Sequence, residues 1–198
     1  MVNTIHLIRH GHHALLARKL CGRTPGINLD ELGCRQMQLC AELLTSRPSA
    51  IQSSPRRRAR QSAAILAQRF GLAVEIVPAM DELDVGDWTG CAFEELKHDK
   101  AWARWNEARG TSRPPNGESM RVLQRRVVDH LEQLRREASD AKVLIVSHAE
   151  PIRAALLHYL KRPLDDFMSI AVDPASISTL TADRAGVHVS TINHRVPA

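Results

Sequence analysis

Apolar positions along this 198-residue chain fall into two kinds of pattern, short continuous runs and stripes at helical spacing. Short apolar runs bounded by loops are typical of buried strands. The run at residues 142–146 is almost wholly apolar, as expected for a central strand covered on both faces. The predicted strands cover residues 4–9, 50–53, 73–77, 142–146, 177–181 and 187–192.

Stretches between these runs repeat apolar residues every three or four positions, which predicts amphipathic helices. One helix follows Asp30, a candidate N-cap, and another opens at Ser54-Pro55 and closes at Gly71. The remaining two cover residues 118–137 and 151–159. Strands alternating with helices predict an α/β fold, a three-layer α/β/α sandwich with a mostly parallel central sheet.

Residues 78–115 break this regular pattern and contain all three tryptophans. We interpret them as a small, mostly helical cap inserted into a single domain that spans residues 1–198.

Composition narrows the class of protein. Hydrophobic residues make up 43% and charged residues 25%, which is ordinary for a globular protein. No apolar stretch approaches the ~20 residues of a membrane span, and no signal peptide pattern is present, so we expect a cytoplasmic protein without a membrane partner. The four cysteines show no CxxC spacing, which gives no indication of a zinc knuckle or a redox motif. A formal net charge of +5 favours anionic ligands.

Two histidines occupy matching places in the predicted sheet. His10 follows the first strand, within Arg9-His10-Gly11, and His148 follows the strand at 142–146. Because ligands of open α/β sheets bind at the carboxyl ends of strands, we expect the two imidazoles to face one cleft. Two imidazoles beside Arg9 suit a phosphoryl group, whose charge spreads over three oxygens.

Other interpretations remain open at this point. A histidine at a strand end is commonly just a polar surface residue. His10, His12 and His13 lie close enough in sequence to suggest a metal site, although no metal-binding motif accompanies them. The basic run at residues 56–60 fits a solvated helix face or a nucleic-acid contact, but few aromatic residues surround it.

Five segments, in order, resemble the motifs of the histidine phosphatase superfamily, the phosphoglycerate mutase-like proteins. They are Leu7-Ile8-Arg9-His10-Gly11, Ser54 to Ala63 with Arg58-Ala59-Arg60-Gln61, Glu82 to Gly90 with Gly86-Asp87-Trp88, Asn116-Gly117-Glu118-Ser119, and Ser147-His148-Ala149-Glu150-Pro151-Ile152-Arg153. The resemblance runs from the first strand into the last quarter of the chain.

The resemblance implies a role for each matching residue. His10 is the expected nucleophile, which becomes phosphohistidine, and Glu82 is the expected general acid and base. Arg9, Arg58 and His148 are expected to hold the phosphate. We further expect the backbone N–H of Ala149 to contact the phosphate, and Arg23 and His13 to contact the leaving group. No metal or other cofactor is expected.

Several positions depart from the family pattern. His12-His13 and Leu16 stand where many members carry Glu-Thr and Asn, Thr89 replaces a usual Glu, and Ala149-Glu150 replaces Gly-Gly. Loss of polar groups near the phosphate argues against mutase activity. We therefore expect a metal-independent phosphatase that acts on a small phosphomonoester.

Two alternatives are kept, a phosphoglycerate mutase and a non-catalytic phosphate- or nucleic-acid-binding module. We do not expect nucleic acid as a partner, because the basic residues form no continuous stripe. Oligomeric state and substrate cannot be read from the sequence; sugar phosphates, α-ribazole phosphate, nucleotides and protein phosphohistidine are all compatible with it.

Overall fold

A six-stranded mixed sheet forms the centre of the protein. The structure is a computed structural model that describes residues 3–137 and 140–195. The strands are β1 (Asn3–Arg9), β2 (Ala50–Ser53), β3 (Val74–Ile76), β4 (Lys142–Ser147), β5 (Ile177–Ala182) and β6 (Val187–His194). Their order is β3-β2-β4-β1-β5-β6, with β1 to β4 parallel to one another and β5 and β6 added antiparallel.

Helices cover both faces of the sheet, so the predicted α/β/α sandwich is confirmed. They are α1 (Glu31–Leu43), α2 (Arg57–Phe70), α3 (Phe93–Leu96), α4 (Lys100–Glu107), α5 (Met120–Glu137) and α6 (Ala149–Tyr159). Short 3₁₀ helices lie at Pro78–Met80, Gly86–Trp88 and Leu164–Ser169. No helix of the described residues is long and apolar enough to cross a membrane.

Alternate residues of β4 point to opposite faces of the sheet, which explains its continuous apolar run. Val143 and Ile145 belong to the core cluster that contains α5 and α6, whereas Leu144 and Val146 belong to the cluster that contains α1 and α2. Each of the four side chains is at most 5% exposed. Both helical layers therefore pack on the same strand.

Three helices begin at residues other than the predicted ones, and α5 starts at Met120, two residues after the expected position. Helix α2 begins at Arg57, because Ser54 continues the sheet by donating its N–H to the Val146 carbonyl (2.9 Å). Helix α6 begins at Ala149, with His148 as its N-cap residue. Pro151 fits inside the first turn of α6, where a backbone N–H has no intrahelical partner.

Residues 78–115 contain two of the 3₁₀ helices together with α3 and α4. The rings of Trp88, Trp102 and Trp105 pack together with centroids 5.3–5.7 Å apart, and Trp105 is 1% exposed. This aromatic cluster joins the α5 and α6 side of the core and holds the segment against it.

Candidate active site at the carboxyl ends of two parallel strands

Strand register brings the two predicted histidines together. Arg9 of β1 pairs with Ser147 of β4, so the residues that follow, His10 and His148, leave the sheet side by side. Their ring centroids are 5.1 Å apart at an interplanar angle of 63°. Both rings are almost fully buried, with exposures of 3% and 0%.

Two glycines allow the loop after β1 to lie directly on the first turn of α1. A Cβ on Gly11 would lie 2.5 Å from the Gly33 carbonyl oxygen, and a Cβ on Gly33 would lie 2.1 Å from the His12 carbonyl oxygen. Asp30 caps α1 through the Gly33 N–H (2.9 Å) and also contacts His12 Nδ1 (2.6 Å). The position of His10 is thereby fixed by backbone packing.

Hydrogen bonds to His10 select one tautomer of its ring. Nδ1 lies 2.8 Å from the Gly11 carbonyl, which can only accept, so Nδ1 carries the proton. Nε2 therefore carries the lone pair, which accepts a hydrogen bond from Arg58 Nε at 3.2 Å. Burial, followed by the charges of Arg58 and Arg9, lowers the pKa of His10 well below its usual value. The ring is neutral at neutral pH, which is the form a nucleophile requires.

Arg9 and Arg58 bring guanidinium groups to the same point. Arg9 donates to the Val172 carbonyl (2.6 Å) and Arg58 to the Gly22 carbonyl (2.9 Å). Among the described residues, Arg9 Nε and Arg58 Nη1 are buried donors with no partner. Buried donors are nearly always satisfied in native proteins, so this pair indicates a site for an anion.

Glu82 lies within reach of both Arg58 and His148. Its Oε2 is 3.8 Å from Arg58 Nη2 and 3.7 Å from His148 Nδ1, and its Oε1 accepts from the Leu83 N–H (2.9 Å). Burial, with a smaller contribution from the charge of Glu150, raises the pKa of Glu82 to about 8. The carboxyl group is therefore protonated at neutral pH and able to donate that proton.

His148 is held from behind by a hydroxyl group. Its Nε2 lies 2.7 Å from Ser54 Oγ, and Ser54 Oγ lies 3.4 Å from Asp81 Oδ1. Nδ1 of His148 has no hydrogen-bond partner among residues 3–137 and 140–195. Burial, followed by the charge of Arg58, lowers the pKa of His148 well below its usual value.

Asp81 links this chain of contacts to Arg56. Arg56 binds both oxygens of Asp81 at 2.8 and 2.7 Å, and Asp81 also accepts from the Glu82 N–H (2.7 Å). The sequence suggested a solvated helix face for Arg56, but its side chain is only 25% exposed. Arg56 thus fixes the residue next to Glu82 and the serine behind His148.

Arg126 supports the same loop from helix α5. It donates to the carbonyl oxygens of Ala79, Asp81 and Glu82 at 2.6 to 3.1 Å and pairs with Glu118. Sequence analysis did not identify Arg126, since three of its partners are backbone carbonyls that lie more than 40 residues away. No local pattern in the sequence encodes such contacts.

A cavity of about 510 Å³ opens over these groups, within the size range of small-molecule sites. We call the lining groups around His10, which are Arg9, His10, Arg58 and Glu82, its inner end. We call five half-buried or exposed lining residues its outer end: Leu16, Phe93, Glu150, Arg153 and Met168.

The remaining predicted residues have different positions relative to this cavity. His13 and Ala149 line it, and the His13 ring lies 5.3 Å from that of His10. Burial lowers the pKa of His13 to about 4. Arg23 does not line the cavity; it donates to the Glu82 carbonyl and to Glu118, at 2.9 and 3.0 Å. Its observed contacts are with the loop that carries Glu82 and with Glu118, just before α5.

No group of three or more His, Cys, Asp or Glu side chains in the described ranges is arranged to hold a metal ion. His12, one of the three neighbouring histidines considered for a metal site, pairs instead with Asp30.

Comparison with known proteins identifies a family and relatives of similar sequence. The family profile described as "Histidine phosphatase superfamily (branch 1)" matches residues 5–195. Phosphoserine phosphatase 1 of Hydrogenobacter thermophilus is 33% identical over 165 residues, covering 80% of this chain and 78% of that protein. A bifunctional protein of Mycobacterium tuberculosis is 33% identical over 178 residues, and this chain spans only 48% of its length.

Solved structures of other proteins are similar in fold to this chain over almost its whole length. A mycobacterial glucosyl-3-phosphoglycerate phosphatase has a TM-score of 0.86 at 25% identity, covering 98% of this chain and 99% of that one. Phosphoserine phosphatase of Entamoeba histolytica, in complex with 3-phosphoglyceric acid, has a TM-score of 0.87 at 26% identity, with 97% of each chain covered.

These findings confirm the resemblance and, at the level of the family, the enzyme class of phosphoric monoester hydrolases. The chain belongs to the histidine phosphatase superfamily.

Proposed function

We propose that this protein is a metal-independent phosphatase that hydrolyses a small phosphomonoester through a phosphohistidine on His10. The observation that carries the proposal is the state of the His10 ring, whose Nε2 lone pair is directed at the Arg58 guanidinium. A phosphate bound to Arg58 and Arg9 would place its phosphorus in front of that lone pair. Relatives named as phosphatases with different substrates support the reaction class.

In the first step, His10 Nε2 forms a bond to phosphorus while the bond from phosphorus to the ester oxygen breaks. Glu82, protonated because of its raised pKa, gives its proton to the departing oxygen, which leaves as an alcohol. Arg9, Arg58 and His148 Nδ1 surround the phosphoryl oxygens, and positive charge at that place stabilises the transition state. In this step His148 carries its proton on Nδ1, and the Ser54 hydroxyl donates to Nε2 at 2.7 Å rather than to the more distant Asp81 carboxylate at 3.4 Å.

In the second step, water attacks phosphorus and the bond to His10 Nε2 breaks. The Glu82 carboxylate takes a proton from the water, which restores the acid for the next cycle. Inorganic phosphate leaves, and His10 returns to its neutral form. The Gly11 carbonyl accepts from Nδ1–H in the resting ring and favours positive charge on the phosphorylated one.

The direct test is hydrolysis of p-nitrophenyl phosphate by the wild type and by His10→Ala, each with and without EDTA. We expect the substitution to lower kcat by about 10⁴-fold or more, as for the loss of a nucleophile, and EDTA to have no effect. A His12→Ala variant is the matched control, because His12 contacts Asp30 and does not line the cavity. Full activity of His10→Ala, or loss of wild-type activity with EDTA, would refute the proposal.

A phosphoglycerate mutase is a second candidate, favoured by a relative named probable phosphoglycerate mutase GpmB from Yersinia pestis, 31% identical over 163 residues. Phosphoryl transfer between the two hydroxyl positions of phosphoglycerate that is faster than phosphate release would establish it. We favour the phosphatase, because apolar Leu16 lines the cavity where many family members carry a polar residue.

A further inference from the structure

Two opposite charges face the cavity without neutralising each other. Glu150 and Arg153 both line it, three residues apart on the first turns of α6, a spacing that puts side chains on one helix face. Within residues 3–137 and 140–195, no ion pair joins them, and the Glu150 carboxylate has no hydrogen bond or ion pair at all.

Arg153 keeps part of its guanidinium free for a ligand. Its Nε donates to the Ile170 carbonyl (2.8 Å), and its planar group stacks over the Phe167 ring at 4.7 Å. Among the described residues, neither terminal nitrogen has a hydrogen-bond partner, and the side chain is half-buried. The contacts through Nε and the ring orient the guanidinium, which leaves two donors available to an anion.

The negative charge of Glu150 opposes the binding of a phosphate in the proposed reaction. Its charge acts on Arg9 and Arg109 and adds to the burial that raises the pKa of Glu82, so this outer-end carboxylate lies close enough to act on a phosphate dianion at the inner end. A carboxylate in that place repels the phosphate. The repulsion is offset when the substrate itself carries a cation between its phosphate and Glu150.

We propose that Glu150 and Arg153 form a subsite for a zwitterionic leaving group, with Glu150 binding an ammonium group and Arg153 binding a carboxylate. The substrate class is then O-phosphorylated amino acids. This inference rests on the proposed function of the same cavity and adds the identity of the leaving group. Glu150 also repels esters whose leaving group is negatively charged and has no cation. Such repulsion contributes to specificity by weakening the binding of competing substrates.

A structural alternative exists for Glu150 alone. Carboxylates in the first turn of a helix interact favourably with the helix dipole, whatever the ligand. That role affects the thermal stability of the protein and leaves substrate preference unchanged, so the two roles are separable by experiment.

Four phosphate esters allow the contributions of the ammonium and the carboxylate of the leaving group to be measured separately. Phosphoserine has the ammonium and the carboxylate, 3-phosphoglycerate has a hydroxyl in place of the ammonium, phosphoethanolamine has the ammonium alone, and 2-hydroxyethyl phosphate has neither. The measured quantity is the ratio of kcat/KM values between two esters for the same variant, because effects on the chemical step common to both esters cancel in that ratio.

We expect the wild type to prefer phosphoserine over 3-phosphoglycerate by about tenfold or more, the usual worth of a charged hydrogen bond. Glu150→Gln, which keeps the shape and removes the charge, reduces this ratio to within about threefold. Arg153→Gln instead reduces the preference for phosphoserine over phosphoethanolamine. Glu31→Gln, which removes an exposed carboxylate from the first turn of α1, keeps both wild-type ratios.

Equal turnover of phosphoserine and 3-phosphoglycerate by the wild type would overturn the proposal, as would an unchanged ratio in Glu150→Gln. Binding of the same two esters to His10→Ala, measured by calorimetry, keeps the test independent of catalysis. Absence of p-nitrophenyl phosphate hydrolysis by the wild type would refute the proposed function alone. Equal affinity of His10→Ala for both esters would refute the subsite alone.

Discussion

The inner and outer ends of the cavity differ in burial, in charge and in the way the chain builds them. His10, Arg58 and Glu82 at the inner end are 2 to 8% exposed, and the pKa of each is shifted by burial. Met168 at the outer end is 73% exposed. Arg9 and His10 end or follow β1 and Arg58 lies on the first turn of α2, whereas Glu82 comes from the loop after the 3₁₀ helix at Pro78–Met80. The outer groups come from the loop after β1, from α3, from α6 and from the 3₁₀ helix at Leu164–Ser169.

This difference separates reaction chemistry from substrate choice. The inner end depends on strand register and on close backbone contacts, which cannot change without disturbing the core. The outer end depends on half-exposed side chains, which can be exchanged at little cost in stability. Inner substitutions should therefore act on catalysis for every substrate, and outer ones on the ranking of substrates.

The largest effect after loss of His10 is expected at Arg58. Arg58→Met removes the buried, unpartnered Nη1 donor and the Nε donor at His10, and we expect kcat/KM to fall by about 10³-fold. Tm should change by only a few degrees, because the loss of the hydrogen bonds to Gly22 and His10 is offset by relief of the desolvation of the buried guanidinium. Steady-state kinetics and a thermal melt measure both quantities.

Arg60→Met is the matched control, since Arg60 lies on the same helix and is exposed. It should leave both quantities close to those of the wild type. Comparable activity of Arg58→Met and Arg60→Met would contradict the role of the inner end.

The next largest effect is expected at Glu82. Glu82→Gln should lower kcat/KM for alkyl phosphates by about 10²- to 10³-fold, as for loss of a general acid. The loss should be smaller for p-nitrophenyl phosphate, whose leaving group departs without a proton.

The pH profile of the wild type gives an independent check on Glu82. Since its pKa is raised to about 8, the acid is present below that pH, and kcat/KM should fall as the pH rises above it. Glu82→Gln should lack this decrease. On the acid side, the pKa of His10 is lowered well below its usual value, so the imidazole stays neutral at pH 6. We therefore expect no loss of activity at that pH from protonation of His10. A wild-type kcat/KM that increases between pH 8 and 9 would be incompatible with Glu82 as the acid.

A smaller effect on kcat is expected at Ser54, which contacts His148. Ser54→Ala removes the hydroxyl that orients His148, and we expect kcat to fall by about tenfold, the worth of one hydrogen bond, with little change in KM. Ser53→Ala is the matched control, because Ser53 is equally buried and, within the described part of the chain, its hydroxyl bonds only to the Ser54 carbonyl. Equal kcat values for the two variants would show that the Ser54 contact does not position His148.

The smallest effect is expected at the outer end. Met168→Ala should change KM by about twofold to threefold and leave kcat and Tm nearly unchanged, as is usual for exposed side chains. A large loss of kcat with p-nitrophenyl phosphate would show that the two ends are not separable.

The sequence predicted the groups whose position follows from local pattern. Arg9, His10 and His148 directly follow or end apolar strands, and parallel pairing of those strands suffices to bring them together. Arg58 was identified by its place in a motif, although the helix that carries it begins later than predicted. The β4 run identified the centre of the sheet because it is apolar on both faces.

The supporting contacts were not predictable in this way. Arg56 and Asp81 are 25 residues apart, and the bond between them depends on how the loop after β3 returns to the sheet. Arg126 is placed by backbone carbonyls, which every residue possesses. Arg23 shares a loop with cavity residues, yet its side chain points toward Glu118. Long-range loop geometry, rather than residue type, decides these positions.

Covalent labelling tests the central claim, phosphoryl transfer to His10, most directly. The wild type would be mixed with a ³²P-labelled phosphate ester, quenched in alkali within milliseconds, digested, and searched by mass spectrometry for an acid-labile phosphoryl group. We predict the label on His10, its absence from His10→Ala, and its retention on His10 in a His13→Ala control. Label on another residue, or turnover by the wild type with no labelled protein, would contradict this account.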